Sequence, residues 1–154
     1  MLAKPNQVVI THLGEPCVYE IDRCELSVTS DGLDFDVYTK KNKECPLGHL
    51  SAPELHIEYG TVTATTRAEL TNEELNVEVG WDTDEESKED NIFRIYISQH
   101  QALNKNQVRI IRNQANQIEI LWTSEAQDFN YFKNPNCSVH VHCVIDDESS
   151  RAIG

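Results

Sequence analysis

The sequence predicts an all-β, antiparallel domain: a β-sandwich of roughly eight or nine strands with one short helix, or alternatively a curved sheet or barrel. Three observations point there. Apolar residues recur with period two along most of the chain, turn residues separate the short apolar runs, and no helical pattern of 10–15 residues lies between them to make βαβ units. The 154 residues, 39% of them hydrophobic, suit one domain spanning residues 1–154 whose strands are half buried. With 6 Gly and 5 Pro the chain is too poor in both to be a linker or a disordered tail.

In chain order, the first strand is expected at Val8 to His12 and the second at Val18 to Ile21, running on through Cys24, Leu26 and Val28. Asp31-Gly32 then offers a two-residue type I′ turn, which would set Val28 opposite Phe35 and Leu26 opposite Val37, both apolar rows on one side. Asn42 to Pro53 reads as a long loop. Further strands are expected at Leu55 to Thr65, Leu75 to Trp81, Ile92 to Ser98 and Ser138 to Ile145. A second hairpin joins Val108–Arg112 to Ile118–Trp122. With Gln114-Ala115-Asn116 as its loop and Asn116 left-handed, Val108 faces Trp122 and Ile110 faces Ile120. Helical signals are few. Ser124-Glu125-Ala126-Gln127 has capping-box spacing for a helix of about two turns ending near Tyr131, and Thr71-Asn72-Glu73-Glu74 suits a single turn. A lipocalin barrel fits the length, but no Gly-x-Trp stands near the first strand.

Charge narrows the classes of partner. The chain carries 26 acids against 13 Lys and Arg, a net charge of -13, which repels phosphate backbones and anionic lipid heads. Direct nucleic-acid or membrane binding is not expected; a basic protein is. The start of the chain lacks the apolar core of a signal peptide, and 5 cysteines at irregular spacing suit a reducing compartment, so the expected location is cytoplasmic.

The charge is concentrated. Residues 69–90 hold ten carboxylates and one cation, Lys88, a local charge of -9. The candidate partner-binding residues are Glu73, Glu74, Glu78, Asp82, Asp84, Glu85, Glu86, Glu89 and Asp90. Dense negative charge steers a cationic partner and speeds encounter, although such a run also keeps a protein dissolved. Asp82-x-Asp84 begins like an EF-hand loop, but Ser87 stands where its Gly belongs and Phe93 where its bidentate Glu belongs. Among Phe129, Tyr131 and Phe132, Tyr131 is the ring left outside if the other two face inward at helical spacing, and it is the candidate aromatic anchor.

Patterns that carry chemistry are few. In Cys137-Ser138-Val139-His140-Val141-His142-Cys143, strand parity sends both thiols to the apolar face and both imidazoles to the other. His140 and His142 could supply two metal ligands, with others from His12, His49, His56, His100 or an acid. Cys45-x-x-x-His49 is a weaker pair. Cys17 and Cys24 have opposite parity, so a regular strand would keep them on different faces. The nucleophile elbow, zincin, P-loop and dinucleotide motifs are absent, and no cofactor or catalytic residue is expected. In size, charge and lack of an export signal the chain resembles bacterial immunity proteins as a class. The function expected is therefore that of a non-enzymatic inhibitor neutralising a basic nuclease toxin. The alternatives are a ligand- or carbohydrate-binding sandwich with Trp81 or Trp122 as platform, and a metal-dependent enzyme using His140 and His142.

Overall fold

The computed structural model describes residues 2–45, 52–79, 92–97, 100–127 and 135–146. Among these residues ten strands form: β1 (Gln7–His12), β2 (Glu15–Thr29), β3 (Gly32–Thr39), β4 (Glu54–Gly60), β5 (Asn72–Val79), β6 (Ile92–Tyr96), β7 (His100–Ala102), β8 (Asn104–Arg112), β9 (Gln117–Gln127) and β10 (Pro135–Asp146). All pairings are antiparallel, and the order β5-β8-β9-β10-β1-β2-β3-β4-β6-β7 makes one sheet, curled into a half-barrel. Its two inner faces press together as in a sandwich, yet a continuous ladder joins them, which is the curved-sheet form of the expected all-β domain.

The join is β2. Its first half pairs with β1 and its second with β3, and between them Asp22 is one residue too many for the ladder. Before the bulge, Cys17 and Tyr19 point inward; after it, Leu26 does, with Cys24 and Val28 packed against the core beside it. The extra residue switches inward parity from odd to even. Hence Cys17 and Cys24 face the same interior, contrary to the regular-strand expectation.

Both halves meet on Trp122, which is fully buried. Phe35 from β3 and Phe93 from β6 lie 6.4 and 5.9 Å from its ring at tilted and edge-on angles, pairs worth about 0.5–1.5 kcal/mol each beyond their burial. The indole N–H donates to Asn106 Oδ1 at 3.0 Å, and the Asn106 amide donates to the carbonyls of Leu103 (2.6 Å) and Val77 (3.2 Å). One buried asparagine thus ties β9, β5 and the corner at Leu103. At that corner the chain leaves one sheet edge, β7, and enters β8 next to the other edge. Leu103 donates its own amide to Phe93 O there at 2.9 Å.

The second hairpin forms as expected: Val108 pairs with Trp122, Ile110 with Ile120, and Asn116 has φ 59°. Asn113 Oδ1 accepts from the amides of Ala115 and Gln117, which fixes the loop. The first hairpin keeps its apolar face but slips by two residues. Val28 opposes Leu33, Leu26 opposes Phe35 and Cys24 opposes Val37, around Ser30-Asp31. A type I′ turn needs two consecutive positive φ angles, and here Gly32 alone turns positive, at 130°. A Cβ at Gly32 would also meet Gly60 O at 2.8 Å, so β4 passes too close for any other residue.

Neither expected helix forms among the described residues. Ser124 to Gln127 continue β9, because Ser124 and Ala126 extend the inward row of Ile118, Ile120 and Trp122 and the segment pairs with β10. The capping-box pattern is also a strand pattern, and the sheet decides between them. Residues 128–131 lie outside the described set. Asn72 to Glu74 open β5, and a single 3-10 turn forms earlier, at Arg67–Glu69, where the Thr66 hydroxyl donates to Glu69. The three-residue β7 was too short to read from its pattern.

Replacing Asn106 by Ala should lower the unfolding free energy by about 2–4 kcal/mol, because it leaves the Trp122 N–H and the Leu103 carbonyl buried and unpaired. Urea denaturation measures this. A change within about 0.5 kcal/mol, the range of an indifferent surface site, would contradict the hub assigned to this residue.

Candidate functional site

Strand parity divides the acids into those the fold engages and those it does not. On the outer face of β3, β4 and β6, Asp36 lies 2.7 Å from His56 Nδ1, Glu54 3.6 Å from His56 Nε2, and Glu58 2.6 Å from Arg94. Arg23 adds a 3.6 Å pair with Glu25 and sits 4.2 Å above the Tyr38 ring. His56 is only 8% exposed, although it stands on an outer face, because these neighbours close over it. Nothing in the sequence announces this cluster: Asp36 and His56 are brought opposite one another only by the β3–β4 register. On the other outer face, Glu119 lies 2.6 Å from His142 and Glu125 3.5 Å from Lys105. Glu25, Glu58 and Glu125, paired with Arg or Lys, have much of their field cancelled locally.

Edge strand β5 differs. Glu74 and Glu78 project from its outer face and are exposed, and among the described residues neither has a hydrogen-bond or ion-pair partner. Glu74 stands opposite Arg109 in the ladder. The two flank a shallow groove of about 470 Å³ crossing β5, β8, β9 and β10, lined also by Gln107, Thr123 and His140, with Leu121 on its floor. The groove is open and mixed in polarity.

Glu73 is a correction to the expected surface. It pairs with Ile110, points inward and is 9% exposed, and its two oxygens accept from the amide (2.8 Å) and hydroxyl (2.5 Å) of Thr63. Alternation along β5 alone would have found this, since Leu75 and Val77 share its parity. The remaining acidic candidates, Asp82, Asp84, Glu85, Glu86, Glu89 and Asp90, and the aromatic candidate Tyr131, lie outside the described residues. So do Trp81 and His49.

Strand β10 is arranged as parity requires. Cys137, Val139, Val141 and Cys143 are buried, and His140 and His142 stand on the outer face. The imidazoles do not converge on a common point. His140 Nδ1 accepts the Ala3 amide at 2.8 Å, while His142 reaches Glu119. Among the described residues no three His, Cys, Asp or Glu side chains are placed to share a metal ion. Trp122, a proposed sugar platform, is core.

The Ala3 contact folds the first residues back over the sheet, and it explains why Val9, on the outer side of β1 opposite His140, is buried. Desolvation holds the His140 pKa below its ordinary value, and the neighbouring His142 lowers it further. The unfolded chain then binds the proton more readily. Stability is therefore full above about pH 6.5, the usual value, and falls as pH drops from there through the depressed folded value. Protonation also removes the acceptor for the Ala3 amide. NMR titration should give His140 a midpoint below the usual value, with a lower protection factor for the Ala3 amide on acidification; a midpoint at or above it would contradict the assignment.

No helix among the described residues is long and apolar enough to cross a membrane. No family model, curated protein or solved structure matches this chain.

Proposed function

We propose that this chain is a non-enzymatic binding protein whose acidic face neutralises a basic protein, and that the partner is a nuclease toxin to which it acts as the immunity protein. The observation that carries the reading is the pair of unengaged carboxylates on the outer face of β5, Glu74 and Glu78, placed just before six acids in nine residues, 82–90. Elsewhere on the strands most carboxylates have cationic or hydrogen-bonding partners within the fold. Here the negative charge faces outward on an edge.

A nuclease holds its substrate with Lys and Arg directed at phosphates. An acidic surface presented to those side chains competes with the nucleic acid and is itself repelled by it, so one feature gives both affinity and selectivity. Screening restricts the effect to short range, since the Debye length is about 8 Å at physiological salt. Acids near the contact therefore matter more than the total charge. The groove beside Glu74 supplies the uneven, partly apolar surface that such a contact needs at its centre.

Affinity capture with this chain from its native host should retain a protein of high isoelectric point that degrades nucleic acid and loses that activity when bound. Retention of anionic or uncharged molecules alone would refute the proposal. With the partner in hand, Asp84, Glu85 and Glu86 changed together to Ser should slow association by roughly tenfold or more at low salt and flatten its salt dependence; an unchanged rate would remove the segment from the interface.

A further inference from the structure

Strand β1 ends as a spacer at Gln7, while its neighbours β2 and β10 run on past it. Asn6 is the last residue to bridge them. Its amide donates to His142 O (2.7 Å), its carbonyl accepts from Ile21 (3.0 Å), and its Oδ1 accepts from the Val144 amide (3.0 Å). At Asn6 the backbone turns with φ 62°. Beyond it β2 and β10 face each other with no strand between, and side chains span the gap. The Arg67 guanidinium donates to Leu26 O on β2 (3.0 Å) and to Asp146 O on β10 (3.4 Å).

The bulge at Asp22 turns Cys24 inward at this gap, and Cys143 is its thiol neighbour there. Cys143 is fully buried in the core, while Cys24 is half-buried and lines an open pocket of about 440 Å³ with Asn6, Asp22, Arg23 and Val144. One thiol can be reached from solvent; the other waits directly behind it. Both are free in the structure.

We propose that Cys24 and Cys143 form an oxidisable pair, a modification site at which a hydroperoxide cross-links β2 to β10. The Cys24 thiolate attacks one peroxide oxygen, the O–O bond breaks, and hydroxide leaves, giving a sulfenic acid. The Cys143 sulfur then displaces the sulfenic hydroxyl, which departs with the Cys143 proton as water. Two thiols are oxidised to one disulfide and one hydrogen peroxide is reduced to two waters. The roles follow from the surroundings: the hydrogen bond from Cys143 lowers the Cys24 pKa against the opposing effect of burial, and it raises that of Cys143 together with burial.

The test treats the full chain with a few equivalents of hydrogen peroxide and maps disulfides by peptide mass spectrometry without reduction. A Cys24–Cys143 linked peptide should appear, two hydrogens lighter than the sum of its parts, and thiols titratable in denaturant should fall from five to three, recovering on reduction. In a Cys143→Ser variant the reaction should stop at a Cys24 sulfenic acid that dimedone traps. The wild-type map is decisive even if that variant does not fold. All five thiols surviving, a cross-link joining another pair, or Cys24 passing directly to sulfinic acid in the wild type would each overturn the proposal.

Discussion

The molecule depends on a single extra residue in its longest strand. A strand whose inward row stayed on odd positions from Cys17 to Thr29 would turn Leu26 outward and lose its register with Phe35. Asp22 absorbs the mismatch: β2 changes parity and direction together, and serves one half of the sheet before the bulge and the other after it. The curl, the meeting of Phe35 and Phe93 on Trp122, and the approach of Cys24 to Cys143 all follow from that change. A sheet of this width would otherwise be free to stay open, with one face of apolar side chains in water.

The same geometry sorts the charges. A residue on an outer face meets neighbours from the adjacent strands, so acids in the middle of the sheet acquire histidines and arginines, directly opposite for Asp36 and on the diagonal for Glu58 and Glu119. An edge strand has neighbours on one side only. That is why Glu74 and Glu78 remain unengaged among the described residues while Glu73, turned inward, takes both donors of Thr63. An inward carboxylate near a sheet edge also discourages edge-to-edge pairing of identical chains, because docking another strand would have to accommodate it. Charge and topology together leave Glu74 and Glu78 unengaged on β5 among the described residues.

Much of the fold is legible in the sequence. Period-two runs locate nine of the strands, and Asn116 fixes the second hairpin to the residue, because a three-residue loop with one left-handed position admits a single register. The first hairpin shows the limit of turn chemistry: Asp-Gly names the turn but not which residue bears the positive φ, and a slip of two leaves the apolar face unchanged. The helix expected at Ser124 fails because capping spacing and strand alternation coincide over four residues, and only the pairing with β10 separates them. The bulge leaves no local signature. Its consequence, the shared interior of Cys17 and Cys24, and the Asp36–His56 pair set by the β3–β4 register both arise from contacts between distant segments that no spacing encodes. The parity of Cys137 to Cys143 and of β5, in contrast, was available from alternation alone.

On the proposed function, the position of unengaged carboxylates, rather than net charge, governs docking. The direct measurement compares two variants of equal charge by stopped-flow association with the captured partner: Glu74→Gln/Glu78→Gln on the edge strand, and Glu20→Gln/Glu125→Gln, whose carboxylates already contact Gln7 and Lys105. The account predicts that the first pair slows association several-fold at low salt while the second leaves it near wild type. Equal slowing by both would show that total charge alone is at work, and would contradict the account.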